Sequence, residues 1–299
     1  MKKGILAFLL LAGLVFFGVW WFGTEDKKTS APEEKPSRLK VVASGYVPYD
    51  LARNIGGEKI ELSQLIPAGT EPHHFEPTPG DIIKVSQSDL FVYVSPELEP
   101  WTQDILKGLF NVTSVETGPL FEGEDPHVWM TPYGALAMAK ILAQSLADKD
   151  PQNKAYYHQN LKNFEKEVSA LHTAFKQGLA NCKNREMIHI GHLAFGALAQ
   201  DYGLTLHALT GTSHQSEHSV RKLAGLVKLI KKHQVGAVFT EEMLAPDLAN
   251  TVSLETGVQI LPLYTIHAVS KEDFAKSKTY LDFMRQNLAN LQKGLQCQA

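Results

Sequence analysis

Twelve histidines and only two cysteines, Cys182 and Cys297, stand in a chain of 299 residues. So few cysteines exclude a disulfide framework and a cysteine-rich zinc module, leaving room for one bridge between the two. Any metal chemistry must therefore rest on imidazole, a donor suited to borderline-soft divalent ions. Ligands of open α/β sheets bind in the loops beyond the carboxyl ends of the strands, so the informative histidines are those that follow a strand. Four do. His73 lies in GTEPHHFEPTPGD, His127 in EDPHVWMTP, His192 in HIGHLAFG and His267 in LPLYTIHAVS. One such histidine alone reads as a solvated loop residue; the shared setting raises the set. Glu71-Pro72-His73 and Asp125-Pro126-His127 repeat an acid and a proline before the imidazole, and proline lowers the entropy lost when a metal fixes a loop. Four imidazoles would close a tetrahedral site, with Zn–N distances of about 2.0–2.1 Å.

The remaining histidines read as follows. His74 is a solvated neighbour of His73, and His189 packs within a strand. His214 and His218, at i and i+4 around Glu217, read as an exposed helix start, with the alternative of an accessory zinc pair at the mouth of the site. Trp129 and Phe195, which follow two of the motifs, read as an apolar shell around the ion. Residues 102–124 contain no histidine, so no His-rich loop separates His73 from His127. The chain has no H-E-x-x-H, the helical signature of a zinc hydrolase.

The elements that must position these residues alternate. Short apolar, β-branched runs at 39–43, 60–66, 90–94 and 112–115 predict four strands, and runs at 187–190, 204–209, 235–239 and 258–263 predict four more. Two histidines follow strands of each set. The fold expected is α/β: two α/β lobes with central sheets, joined by one long rigid α-helix, with the metal site in the cleft between them. That helix is expected over 151–181. Asp150 can cap it, Pro151 fits its first turn, and Leu161, Phe164, Val168, Leu171, Phe175 and Leu179 recur at helical spacing. The lobes then span 39–150 and 182–299.

Ahead of them, residues 1–23 contain Lys2 and Lys3 and an uncharged apolar run of 20 residues from Gly4 to Gly23, about 30 Å as a helix. The bulky Val19, Trp20, Trp21 and Phe22 at its end favour an uncleaved transmembrane anchor over a cleaved signal. Residues 24–38, charged and Pro-containing, read as a flexible tether. Removing residues 1–38, with six basic and four acidic side chains, takes the net charge from −3 to −5 on the body. A mildly acidic body suits a cation and excludes nucleic acid as a partner.

The motifs resemble the cluster A-I solute-binding proteins, the metal-binding subunits of zinc and manganese ABC importers. The resemblance runs from LKVVASGYVPYDLARNIGG to the C-terminus. PHHFEPTPGD is similar to the family's first ligand loop, DPHVWMTP to its second and IGHLAFGALAQDYGL to its third. VGAVFTEEMLAP and TYLDFMRQNLANLQKGL resemble its C-terminal lobe. The resemblance implies that His73, His127 and His192 are ligands, and a histidine in the third position favours Zn2+ over Mn2+. The family's usual fourth ligand, an aspartate after the last strand, has no counterpart before Asp273. His267 is the nearest competent donor, with Glu241 of the FTEE motif or water as the alternative. The implied function is capture of Zn2+ outside the membrane and delivery to an ABC permease and its ATPase. The protein would act as a monomer, at the outer face of the cytoplasmic membrane or in the periplasm, without catalysis. A Mn2+-binding relative, an extracellular zinc-dependent hydrolase and a surface adhesin are the competing readings.

Overall fold

A computed structural model describes residues 38–109, 111–118, 125–211, 220–242 and 246–298. The expected anchor (1–23), most of the tether (24–38), and His214 and His218 lie outside the described residues. Among the described residues no helix is long and apolar enough to cross a membrane.

The first sheet contains β1 (Leu39–Ala43), β2 (Ile60–Gln64), β3 (Leu90–Tyr93) and β4 (Thr113–Glu116), all parallel in the order β2-β1-β3-β4. The second repeats the arrangement with β5 (Glu186–Ile190), β6 (Thr205–Ala208), β7 (Ala237–Glu241) and β8 (Gln259–Leu263), in the order β6-β5-β7-β8. All eight expected strands are present, with ends shifted by at most two residues from the apolar runs. Central strands of a parallel sheet are covered on both faces and carry near-continuous apolar residues. On β1, Val41 joins Leu51, Ile55 and Leu90 in one core, while Val42 joins Phe91, Tyr93 and Trp101 on the other face.

Helices α1 (Tyr46–Gly56), α2 (Pro79–Ser86) and α3 (Thr102–Lys107) belong to the first half. A Thr78 and Asp81 capping box starts α2. Between the sheets run α4 (Pro132–Lys149) and α5 (Lys154–Gly178). The second half carries α6 (Gly196–Asp201), α7 (Val220–His233), α8 (Pro246–Thr256), α9 (Lys271–Ala275) and α10 (Tyr280–Gly294).

The 25-residue α5 is the long helix that joins the lobes. Its first expected turn, 151–153, is instead a 3-10 turn. Asp150 does not cap a backbone amide there; its carboxylate accepts hydrogen bonds from Asn153 and from the Tyr157 hydroxyl, both at 2.7 Å. At about 1.5 Å per residue the helix is roughly 37 Å long. It buries Tyr157, Phe164, Val168, Leu171 and Phe175 and packs against α1 of one lobe and α10 of the other. Asn160 donates to the Ile55 carbonyl at 3.0 Å on one side, and Gln292 to the Gly178 carbonyl at 3.4 Å on the other. Just beyond the helix, Cys182 and Cys297 form a disulfide that closes a sequence separation of 115 residues.

Candidate metal centre

Each of the four histidines lies in the segment that follows the C-terminal end of a parallel strand, His192 and His267 within four residues of β5 and β8, His73 and His127 nine and eleven residues after β2 and β4. Their ligand atoms all lie within 4.8 Å of one another. The six distances between their ring centroids range from 4.9 to 5.8 Å. Two imidazoles on one tetrahedral zinc would have centroids about 5.2 Å apart, given Zn–N distances of about 2.0–2.1 Å. The set thus has the size and near-regular shape of a four-histidine tetrahedron.

Backing groups define which nitrogen each ring presents. Asp125 Oδ1 accepts from the His127 amide at 3.0 Å and from His127 Nδ1 at 2.7 Å, while its Oδ2 accepts from the Gly196 amide at 3.0 Å. Burial opposes ionisation of Asp125, but the hydrogen bonds from His127 and Gly196 and the charge of His127 hold it below the usual carboxylate range. Behind His192, Glu241 Oε1 accepts from the His192 amide and, at 2.8 Å, from its Nδ1. An ionised carboxylate can only accept, so Nδ1 carries the proton in both histidines. Their Nε2 lone pairs then face each other at 3.1 Å. Two opposed lone pairs at that distance repel, and a shared cation removes the repulsion. This carboxylate–histidine arrangement is the outer shell typical of zinc ligands.

Local sequence explains the placement. Pro72, His73 and His74 form a 3-10 turn whose N-cap, Glu71, accepts from the His73 amide at 3.2 Å. Glu71 Oε2 also lies 3.2 Å from His267 Nε2, and its Oε1 is 4.0 Å from His73 Nε2. The acids of the two acid-Pro-His motifs thus position the imidazoles that follow them. His73 Nε2 and His267 Nδ1 are buried without a hydrogen-bond partner. Gly191, just before His192, has no room for a side chain, because a Cβ there would sit 1.9 Å from Glu241 Oε1.

His267 is held by a residue that sequence reading missed. The carboxylate of Glu242, adjacent to Glu241, accepts from Thr265 N at 3.0 Å, Thr265 Oγ1 at 3.1 Å and Ile266 N at 3.2 Å. Burial raises its pKa. Ile266 has φ of 68°, a left-handed conformation costly for a β-branched residue, and these bonds hold it there. The second glutamate of FTEE was the available signal, and nothing local distinguished its role from that of the first.

Protonation runs in two directions. Burial, with the neighbouring His267 and His127 charges, lowers the pKa of His73 to about 3. Burial lowers that of His127 to about 4, with Asp125 opposing. For His267 burial acts downward, but Glu71, Glu242 and Glu241 outweigh it and raise the pKa. Trp129 is fully buried against the cluster, with ring centroids 5.2 Å from His127 and 6.4 Å from His267. Its indole donates to the Thr265 carbonyl at 2.8 Å, tying the two ligand loops together. Phe195 packs instead on the buried His189, at 4.8 Å between centroids, and His189 Nδ1 donates to the His192 carbonyl at 3.2 Å. His74 is exposed and outside the cluster.

The family model described as the periplasmic zinc-uptake complex component A, ZnuA, matches residues 41–294. The high-affinity zinc uptake system protein ZnuA of Bacillus subtilis is 32% identical over 296 residues, covering 91% of this chain and 92% of its own. The Zn(II)-bound ZnuA-like domain of Streptococcus pneumoniae AdcA superposes with a TM-score of 0.78 at 30% identity, covering 87% of this chain and 99% of that one. The laminin-binding protein Lmb of Streptococcus agalactiae, described as bifunctional with adhesin and metal-transporting activity, gives a TM-score of 0.80 at 30% identity, covering 86% and 99%.

Proposed function

The chain belongs to the periplasmic zinc-uptake component A family, and from that premise we propose that His73, His127, His192 and His267 together bind one Zn2+ for delivery to an ABC permease and its ATPase. The observation that carries the ligand set is the near-regular tetrahedron of ring centroids at 4.9–5.8 Å. Four nitrogen donors favour zinc, whereas manganese prefers oxygen-rich sites. Four carboxylates stand just behind the rings: Glu71, Asp125, Glu241 and Glu242. They offset the charge of a dication that four neutral imidazoles leave uncompensated. Glu241, with one oxygen engaged by His192, supports that ligand and does not replace His267.

The role is binding without catalysis. A catalytic zinc keeps an open position for water or substrate, whereas four imidazoles complete the tetrahedron. Residues 39–150 and 182–299 act as the two lobes and 151–181 as their link. The protein works as a monomer outside the cytoplasm, and its disulfide suits that oxidising compartment. Residues 4–23 anchor it to the membrane.

Metal-stripped protein titrated with Zn2+ and Mn2+ in competition should take up one tight Zn2+ in preference to Mn2+. His192→Ala and His267→Ala should each weaken it strongly. Preference for Mn2+, or loss of zinc to a weak chelator, would overturn the zinc assignment; unchanged affinity in His267→Ala would move the fourth position elsewhere.

A further inference from the structure

A second group of zinc-type donors lies at the opposite end of the C-terminal sheet. Glu186 opens β5, and its carboxylate spans two imidazoles. Oε2 is 2.6 Å from His207 Nε2, and Oε1 is 3.4 Å from His233 Nδ1. His207 comes from the edge strand β6, paired with Ile188 two residues beyond Glu186, and His233 from the last turn of α7. These elements share one face of the sheet, where Ile188 and Ile190 pack on Leu226 and Ile230 of α7. Asn184 braces the arrangement, accepting from the Glu186 amide at 2.9 Å and donating to the His233 carbonyl at 3.2 Å.

We propose that Glu186, His207 and His233 form a second, weaker Zn2+ site with three protein ligands and water in the fourth position. Two donors of a tetrahedral zinc stand about 3.3 Å apart; the nitrogen–oxygen distances of 2.6 and 3.4 Å lie on either side of that value but run to different oxygens of Glu186, so the carboxylate turns to present one oxygen to the ion. The side chains are 21–26% exposed, so an ion and its water reach them from solvent. The rings are 6.2 Å apart between centroids, about 1 Å wider than the roughly 5.2 Å expected of two zinc-bound imidazoles. Rotation of the partly exposed His233 closes the gap. On binding, each imidazole gives up the proton by which it now donates to the Glu186 carboxylate, keeps a proton on its other ring nitrogen, and offers the freed lone pair to the zinc. One ligand fewer and the neighbouring Lys231 and Lys232 make this site at least ~100-fold weaker than a four-histidine site.

The test is equilibrium dialysis of the full chain against graded Zn2+. The wild type should bind two equivalents, one tight and one weak. His207→Gln and His233→Gln should each abolish the weak equivalent and leave the tight one unchanged, which also reports an intact fold. Should His207→Gln lose both, His233→Gln at the exposed helix end decides. His192→Ala should do the reverse, so failure of the four-histidine assignment is distinguishable from failure of this one. A single equivalent in the wild type overturns the proposal. So does a weak equivalent that survives both His→Gln variants, including one removed by His214→Ala with His218→Ala.

Discussion

Glu241→Gln separates a ligand from its support. In the structure Glu241 Oε1 accepts from both the amide and Nδ1 of His192. Glutamine keeps an oxygen in that place and can retain both bonds, so the imidazole stays oriented while the negative charge behind it is lost. Outer-shell substitutions of this kind cost about 10–100-fold in metal affinity. With the geometry retained, the expectation is the lower end, about 10-fold or ~1.4 kcal/mol. A direct ligand would cost more: binding of about 10–16 kcal/mol spread over four ligands is ~2.5–4 kcal/mol each, roughly 10²- to 10³-fold. The assay is competition against a chromogenic chelator at neutral pH, with His192→Ala as the reference for a lost ligand. Co2+ loaded into Glu241→Gln should keep the tetrahedral visible spectrum of the wild type. A loss as large as that of His192→Ala, with an altered spectrum, would place Glu241 on the metal and refute the reasoning; wild-type affinity would refute any orienting role for its charge.

Three further outcomes follow from titration and covalent structure. Burial pushes the Glu99 carboxyl up to about 7, against the hydrogen bond it accepts from the Val94 amide at 2.7 Å. Its folded pKa exceeds the unfolded one, so its contribution is full at low pH and is lost as pH rises through about 4.5 to 7. Glu99→Gln should therefore be more stable than wild type by about 3 kcal/mol above pH 7 and close to it near pH 4, as denaturant unfolding of zinc-free protein at the two pH values would show. His73 and His127 have pKa values lowered to about 3 and 4. They disfavour protonation in the folded state, so their contribution is present above the unfolded value of about 6.5 and is lost as pH falls toward 4. In a thermal scan the rise in Tm on adding zinc should shrink as pH falls below neutral, because His267, with its raised pKa, takes up a proton that zinc must displace, while His73 and His127 do not compete until about pH 4. Reducing the Cys182–Cys297 bridge, whose half-cystines are 115 residues apart, should cost up to about 4–5 kcal/mol on the chain-entropy account and leave zinc affinity unchanged, because the bridge lies at the end of the second sheet away from the four histidines.

The sequence carried the fold and the four histidines further than it carried the site's chemistry, and the reason is physical. Strands buried on both faces announce themselves as apolar runs, and a histidine just past such a run is placed by the run itself. Val41 to Ala43, Leu90 to Tyr93 and Ala237 to Phe239 are legible in this way. Outer-shell groups are set by tertiary approach. The Asp125 bond to the Gly196 amide spans 71 residues and that of Glu241 to His192 spans 49; neither follows from local pattern. The acid-Pro-His repeat was visible, but it pointed to loop stiffness, and only the structure shows that each acid holds its own histidine. Glu71 shows the limit most clearly: it caps its own turn and also reaches His267, 196 residues away.

The same cross-lobe bonds bear on how zinc enters and leaves. Around the cluster the lobes are tied by Trp129 to Thr265, Asp125 to Gly196, Tyr280 N to Asp50 at 2.8 Å, and the Tyr46 hydroxyl to the Lys278 carbonyl. Most of these groups are buried, and a buried polar group stripped of its partner costs about 1–3 kcal/mol. Swinging the lobes apart would break several such bonds at once and pull on α5, which packs against both. The softer route is at Glu71, the partly exposed carboxylate beside His73 and His267. It shares one hydrogen bond with His267, and giving that bond up disturbs one side chain and one short turn. Exchange confined to that turn costs less than hinge opening, so the rigid linker and the buried bonds are compatible with a site that must still release its ion.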